Sequence, residues 1–252
     1  MPFSNVRRLK ETAARERLIV ALDTSDRREV RRLLRALKGR AGCFKVGLQL
    51  FSAYGPSIVK TIVDAGERVF LDLKYHDIPN TAAHAVTEAV RMGASLATLH
   101  VAGGEPMLRS AVQAARSAPG PSGRRSARGR TRLLGVTVLT SLDAAALERV
   151  GIMKPLPDLA VDLARLARAA GLDGVVASAH EVAAIRAACG PEFLIVVPGI
   201  RPAGAGLLDQ KRAATPSEAL LAGATSLVVG RPITEARDPA AAADAILAEI
   251  EG

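Results

Sequence analysis

The feature that most constrains the fold of this chain is an alternation. Short β-branched or apolar runs take turns with longer Ala/Leu/Arg stretches of helical period, from one end of the sequence to the other. Strand-like runs fall at 18–22, 43–48, 68–73, 95–101, 133–139, 174–177, 193–197 and 226–229. Helical stretches fall between them at 26–37, 55–65, 79–92, 106–116, 159–170, 179–188, 216–222 and 239–250. Pro79, Pro106, Pro216 and Pro239 sit near helix starts, where a missing N–H costs nothing, and Gly93, Gly171 and Gly223 sit just past helix ends. Strands joined through helices pair in parallel, and eight such units in 252 residues predict a single-domain (β/α)8 TIM barrel over 1–252, in preference to a doubly wound sheet with fewer strands.

Composition narrows the function classes. With 49% apolar residues a large core is available without staples. Cys43 and Cys189 stand alone, with no CxxC or Cys/His spacing for zinc, and read as small core hydrophobes in a reducing compartment. The charged first 17 residues lack the apolar segment of a signal peptide, and no run of 18 apolar residues occurs. A cytoplasmic protein with no membrane partner is the expectation. The net charge of +9 is uneven: residues 117–132 hold five Arg and no acid. With 3% aromatic residues there is no stacking platform for single-stranded nucleic acid, so no nucleic-acid partner is expected. The Gly/Pro/Ser/Arg-rich stretch 117–130 reads as a flexible solvated loop at the bottom of the barrel, away from chemistry.

Barrel enzymes place catalytic groups at the C-terminal ends of strands. There the first strand runs into Asp23, the second contains Lys45, and the third ends in Asp72-Leu73-Lys74-Tyr75-His76-Asp77. Side chains alternate along a strand, so Asp72 and Lys74 share a face, with Asp77 at the turn into the next helix. One Asp-x-Lys pair alone is as readily a plain ion pair. Joined by Lys45 and Asp23 from neighbouring strands, it becomes a near-neutral set in which each group favours its neighbours' charged form, suited to a reaction in which negative charge moves. Val197-Pro198-Gly199-Ile200-Arg201 and Val229-Gly230-Arg231-Pro232 follow the seventh and eighth strands, where barrels bind phosphate. Between them the Gly-rich 201–215 fits a mobile lid bearing Gln210. His76 is read as structural or surface, and His84, His100 and His180 show no ligand spacing. No GxSxG elbow, Walker A loop, HExxH or GxGxxG is present.

These residues resemble a family, the orotidine 5′-phosphate decarboxylases. The resemblance runs through LIVALD at 18–23, FKVGLQLF at 44–51, FLDLKYHDIPNT at 70–81, VTVLTS at 136–141, VVPGIRP at 196–202, DQKRAATP at 209–216 and VVGRPIT at 228–234. Related barrels acting on sugar phosphates share DxKxxD, and would need a divalent metal. The continuation Ile78-Pro79-Asn80-Thr81 favours the nucleotide decarboxylase. The Arg-rich 117–130 is longer than the family pattern. The resemblance implies conversion of orotidine 5′-monophosphate to UMP and CO2 without cofactor or metal. It implies Lys74 as proton donor to C6 and Asp72 beside the substrate carboxylate. Lys45 and Asp23 would contact the ribose and complete the array, and Thr140 the base. Arg201, Gln210, Gly230 and Arg231 would form the phosphate and lid group. It further implies a homodimer in which Asp77 and Thr81 reach into the partner's pocket.

Overall fold

The computed structural model describes residues 12–121, 130–202 and 214–252. Most of the Arg-rich stretch (122–129) and most of the expected lid (203–213), Gln210 included, lie outside the described residues.

Eight parallel strands close into a barrel in sequence order: β1 (Leu18–Ala21), β2 (Cys43–Gly47), β3 (Val69–Tyr75), β4 (Leu96–His100), β5 (Arg132–Val136), β6 (Gly174–Val176), β7 (Leu194–Val197) and β8 (Ser226–Val229), with β8 pairing back onto β1. The (β/α)8 expectation therefore holds. Outside run α1 (Arg27–Ala36), α2 (Leu48–Tyr54), α3 (Pro56–Asp64), α4 (Pro79–Arg91), α5 (Gly104–Ser117), α6 (Ala144–Arg149), α7 (Leu156–Ala169), α8 (Val182–Cys189), α9 (Pro216–Leu221), α10 (Arg231–Thr234) and α11 (Pro239–Glu251). Pro79, Pro216 and Pro239 open helices, and Asp26, Asp143 and Asp238 accept from first-turn amides as N-caps. Gly93, Gly171 and Gly223 end helices at φ of 84°, 89° and 107°, a conformation that suits glycine.

Several boundaries correct the sequence reading. Leu48 does not extend β2 but starts α2, β5 ends at Val136 and not at 139, and Val101 belongs to a single 3-10 turn. The short helices α2, α6 and α10 were not anticipated.

The alternation of strand side chains sorts the core into two layers. Ile19, Ala21, Cys43, Phe70, Leu96, Leu134, Val196 and Val228 fill the barrel's interior. Their strand neighbours, among them Leu18, Val20, Phe44, Val46, Val69 and Leu71, face outward under the helices. Both cysteines are free and buried, and burial pushes the Cys43 thiol up to about 12. Among the described residues, no helix is long and apolar enough to cross a membrane.

Candidate active site

The interior layer dictates where the charges stand. Ala21, Cys43 and Phe70 all point into the barrel, and two residues beyond each, on the same face and one step closer to the C-terminal mouth, come Asp23, Lys45 and Asp72. The array is the top layer of the barrel's own filling. Lys45 Nζ donates to Asp23 Oδ1 at 2.9 Å and lies 3.9 Å from Asp72 Oδ2, while Lys74 Nζ donates to that same Asp72 oxygen at 2.8 Å. Carboxylate and ammonium alternate along one line: Asp23, Lys45, Asp72, Lys74. Asp72 is 8% exposed, deep enough that an unpaired charge would be costly, and a cation flanks it on either side.

Lys74 arrives by a route that simple alternation does not describe. Its φ is +52°, in the left-handed region, and it is the one non-glycine with positive φ among the described residues. The ladder between β3 and β4 explains this: Leu71 pairs Ala97 but Tyr75 pairs Leu99, so β3 spends three residues where β4 spends one. The bulge swings the Lys74 ammonium back onto Asp72.

These groups line a cavity of about 370 Å³, a volume suited to a small ligand. Thr140, Arg201, Gly230 and Arg231 line the same cavity, so the structure brings all of the described phosphate and base candidates together with the array. Apolar walls come from Val136, Val138, Leu139 and Val176. Two residues missed in the sequence also belong here. Glu235, next to α10, lines the cavity beside Arg231. Gly47 makes room for the array: a Cβ there would sit 3.1 Å from Lys45 Nζ and 3.6 Å from Asp23 Oδ1. Nothing in the sequence pattern signals either.

Asp77 and Thr81 are exposed and do not line this cavity; they flank Ile78, itself 67% exposed, at the start of α4. His76 is exposed, its ring 5.3 Å from the half-buried ring of His100. Burial, then the neighbouring His76 and Lys74 charges, holds His100 below the usual histidine range. Among the described residues, no group of three or more His, Cys, Asp or Glu is arranged to hold a metal.

A closed parallel barrel with an alternating charged array at its C-terminal mouth defines the class: a (β/α)8-barrel enzyme. Comparisons give the family. Residues 16–246 match the model of the orotidine 5′-phosphate decarboxylase / HUMPS family. The orotidine 5′-phosphate decarboxylases of Pelobacter propionicus and Moorella thermoacetica are each 51% identical, covering 94% of this chain and 96% and 93% of their own lengths. The crystal structure of orotidine 5′-phosphate decarboxylase from Lactobacillus acidophilus superposes with a TM-score of 0.82 at 35% identity, over 93% of this chain and 99% of that one. The chain belongs to this family, and it is a decarboxylase, a carboxy-lyase.

Proposed function

We propose that this enzyme converts orotidine 5′-monophosphate to UMP and CO2 in pyrimidine biosynthesis, and that the aligned array of Asp23, Lys45, Asp72 and Lys74 performs the chemistry. The observation that carries the reading is the geometry of that array. A fixed ammonium stands 2.8 Å from a buried carboxylate in a cavity that two arginines also line.

In this reading Arg201, Arg231 and the backbone at Gly230 hold the phosphate, Asp23 and Lys45 the ribose hydroxyls, and Thr140 the base. The substrate carboxylate then lies against Asp72. The bond from C6 to the carboxylate breaks and its electron pair stays on C6. No carbonyl is positioned to delocalise that pair, so stabilisation falls to the Lys74 ammonium, already oriented and needing no reorganisation. The Nζ proton then passes to C6, CO2 departs, and solvent reprotonates the amine. In this reading the steps need only the protein and solvent. Binding energy from the phosphate, remote from C6, goes into holding the reacting end in place.

We also read a homodimer, in the cytoplasm, with Asp77 and Thr81 contributed to the partner's pocket, and the whole 252-residue chain as one domain. The exposure of both residues outside their own chain's cavity, with Ile78 bare between them, supports the dimer.

The test is the change in pyrimidine absorbance when purified protein meets orotidine 5′-monophosphate in excess chelator. The wild type should turn over, and Lys74→Ala should lose about 10⁴-fold or more of kcat while remaining folded, because one change removes both the charge and the proton source. Turnover by Lys74→Ala within tenfold of wild type would overturn the assignment, and a metal requirement would favour a sugar-phosphate reaction instead.

A further inference from the structure

We infer that Thr98 is the positioning residue that sets the Lys74 ammonium, an inference resting on the decarboxylase reading above. Thr98 is fully buried on β4, with no exposed surface. It is the single β4 residue that faces the three-residue excursion Asp72-Leu73-Lys74 of β3, between the pairs Leu71↔Ala97 and Tyr75↔Leu99. Across that gap its hydroxyl makes two hydrogen bonds. The Lys74 backbone N–H donates to Thr98 Oγ1 at 2.9 Å, and Thr98 Oγ1 donates to Asp72 Oδ1 at 3.0 Å.

The direction of these bonds is fixed by chemistry. An amide can only donate, so the hydroxyl must accept from Lys74, and its own proton is then committed to the carboxylate. Oδ1 of Asp72 is occupied by Thr98, and Oδ2 is left for the Lys74 ammonium at 2.8 Å. One hydroxyl therefore orients the carboxylate and pins the backbone that carries the lysine. Lys74 at φ +52° is strained, and such a conformation persists only where surrounding bonds over-determine it. The Thr98 hydroxyl is the hydrogen bond that stands in for the interrupted ladder at that residue.

Thr98 itself does not line the cavity, whereas Asp72 and Lys74 do. It acts through Asp72 and Lys74. Its loss should therefore lower kcat and leave KM for orotidine 5′-monophosphate nearly unchanged, since the groups assigned to phosphate and ribose are untouched. Three variants are compared with wild type: Thr98→Val keeps the bulk without the hydroxyl, Thr98→Ala removes both, and Thr98→Ser keeps the hydroxyl. Displacement of a reacting group by about 1 Å costs about 10²-fold, so Val and Ala should each lose about that much kcat, with KM within about threefold, and Ser should recover most of it. If one hydroxyl-free variant does not fold, the other decides.

A hydroxyl-free variant that folds and keeps wild-type kcat would overturn the inference. So would a Ser variant as impaired as Val. A wild type inert toward orotidine 5′-monophosphate would instead remove the decarboxylase reading. The inference then stands or falls on the crystal structure of Thr98→Val, where Lys74 should leave the left-handed region and its Nζ should part from Asp72; an unchanged φ and contact would refute it.

Discussion

Lys74 and Gly47 show two opposite ways in which a single residue serves this site. Lys74 occupies a left-handed backbone that an L-residue adopts at a cost of about 1–2 kcal/mol. Lys74→Gly and Lys74→Ala lose the same ammonium, but only glycine relieves the strain. Glycine should therefore be the more stable of the two by about 1 kcal/mol in urea denaturation, and equal midpoints would show that the conformation carries no strain. Gly47 contributes by what it lacks. Its φ of −94° is open to alanine, and the atom an alanine Cβ would press on is the free end of a lysine. Gly47→Ala should thus fold with nearly unchanged Tm while the Lys45 ammonium is displaced from Asp23 and kcat/KM falls about tenfold or more. A fully active Gly47→Ala would mean that the Lys45 position is not critical.

At the scale of elements, the barrel was legible because the physics of a parallel strand is written in its composition. A strand covered on both faces must be largely apolar, and the eight runs are mostly so. Charges inside such runs had nowhere to go but the mouth, which made Lys45, Asp72 and Lys74 conspicuous. Three features were not legible. The short helices α2, α6 and α10 are each seven residues or fewer, too short for period to be read, whereas the equally short α9 was marked by Pro216 and Gly223 at its ends. The β3 bulge depends on register against β4, a property of two strands that neither sequence states alone. Glycines with ordinary φ, such as Gly47 and Gly174, owe their identity to neighbours distant in sequence. At Gly174 on β6 a Cβ would lie 2.3 Å from the Leu194 carbonyl oxygen and 2.4 Å from Leu194 Cβ on β7. Backbone cannot step aside as a side-chain tip can. Gly174→Ala should cost about 3 kcal/mol and lower Tm by roughly 6–12 °C, and an unshifted melting curve would show that β6 and β7 can separate freely.

For the whole molecule, the proposed dimer has a consequence that no single chain can show. If Asp77 serves the partner's pocket, Asp77→Ala and Lys74→Ala spoil different halves of the same site. Each variant alone should be nearly inactive. Mixed one to one and allowed to exchange, half the dimers would be hybrids with one intact pocket, restoring about a quarter of wild-type activity. No recovery after verified exchange would place Asp77 in its own chain's site or outside catalysis. The β3 bulge carries a different lesson, for anyone who would transplant this chemistry. The DxK tripeptide is not portable by itself: grafted onto a strand of another scaffold it would run straight, and nothing would turn the lysine back onto its aspartate. The unit that must travel is two-stranded, donor and recipient together, with the extra residues on one side and the small alcohol on the other.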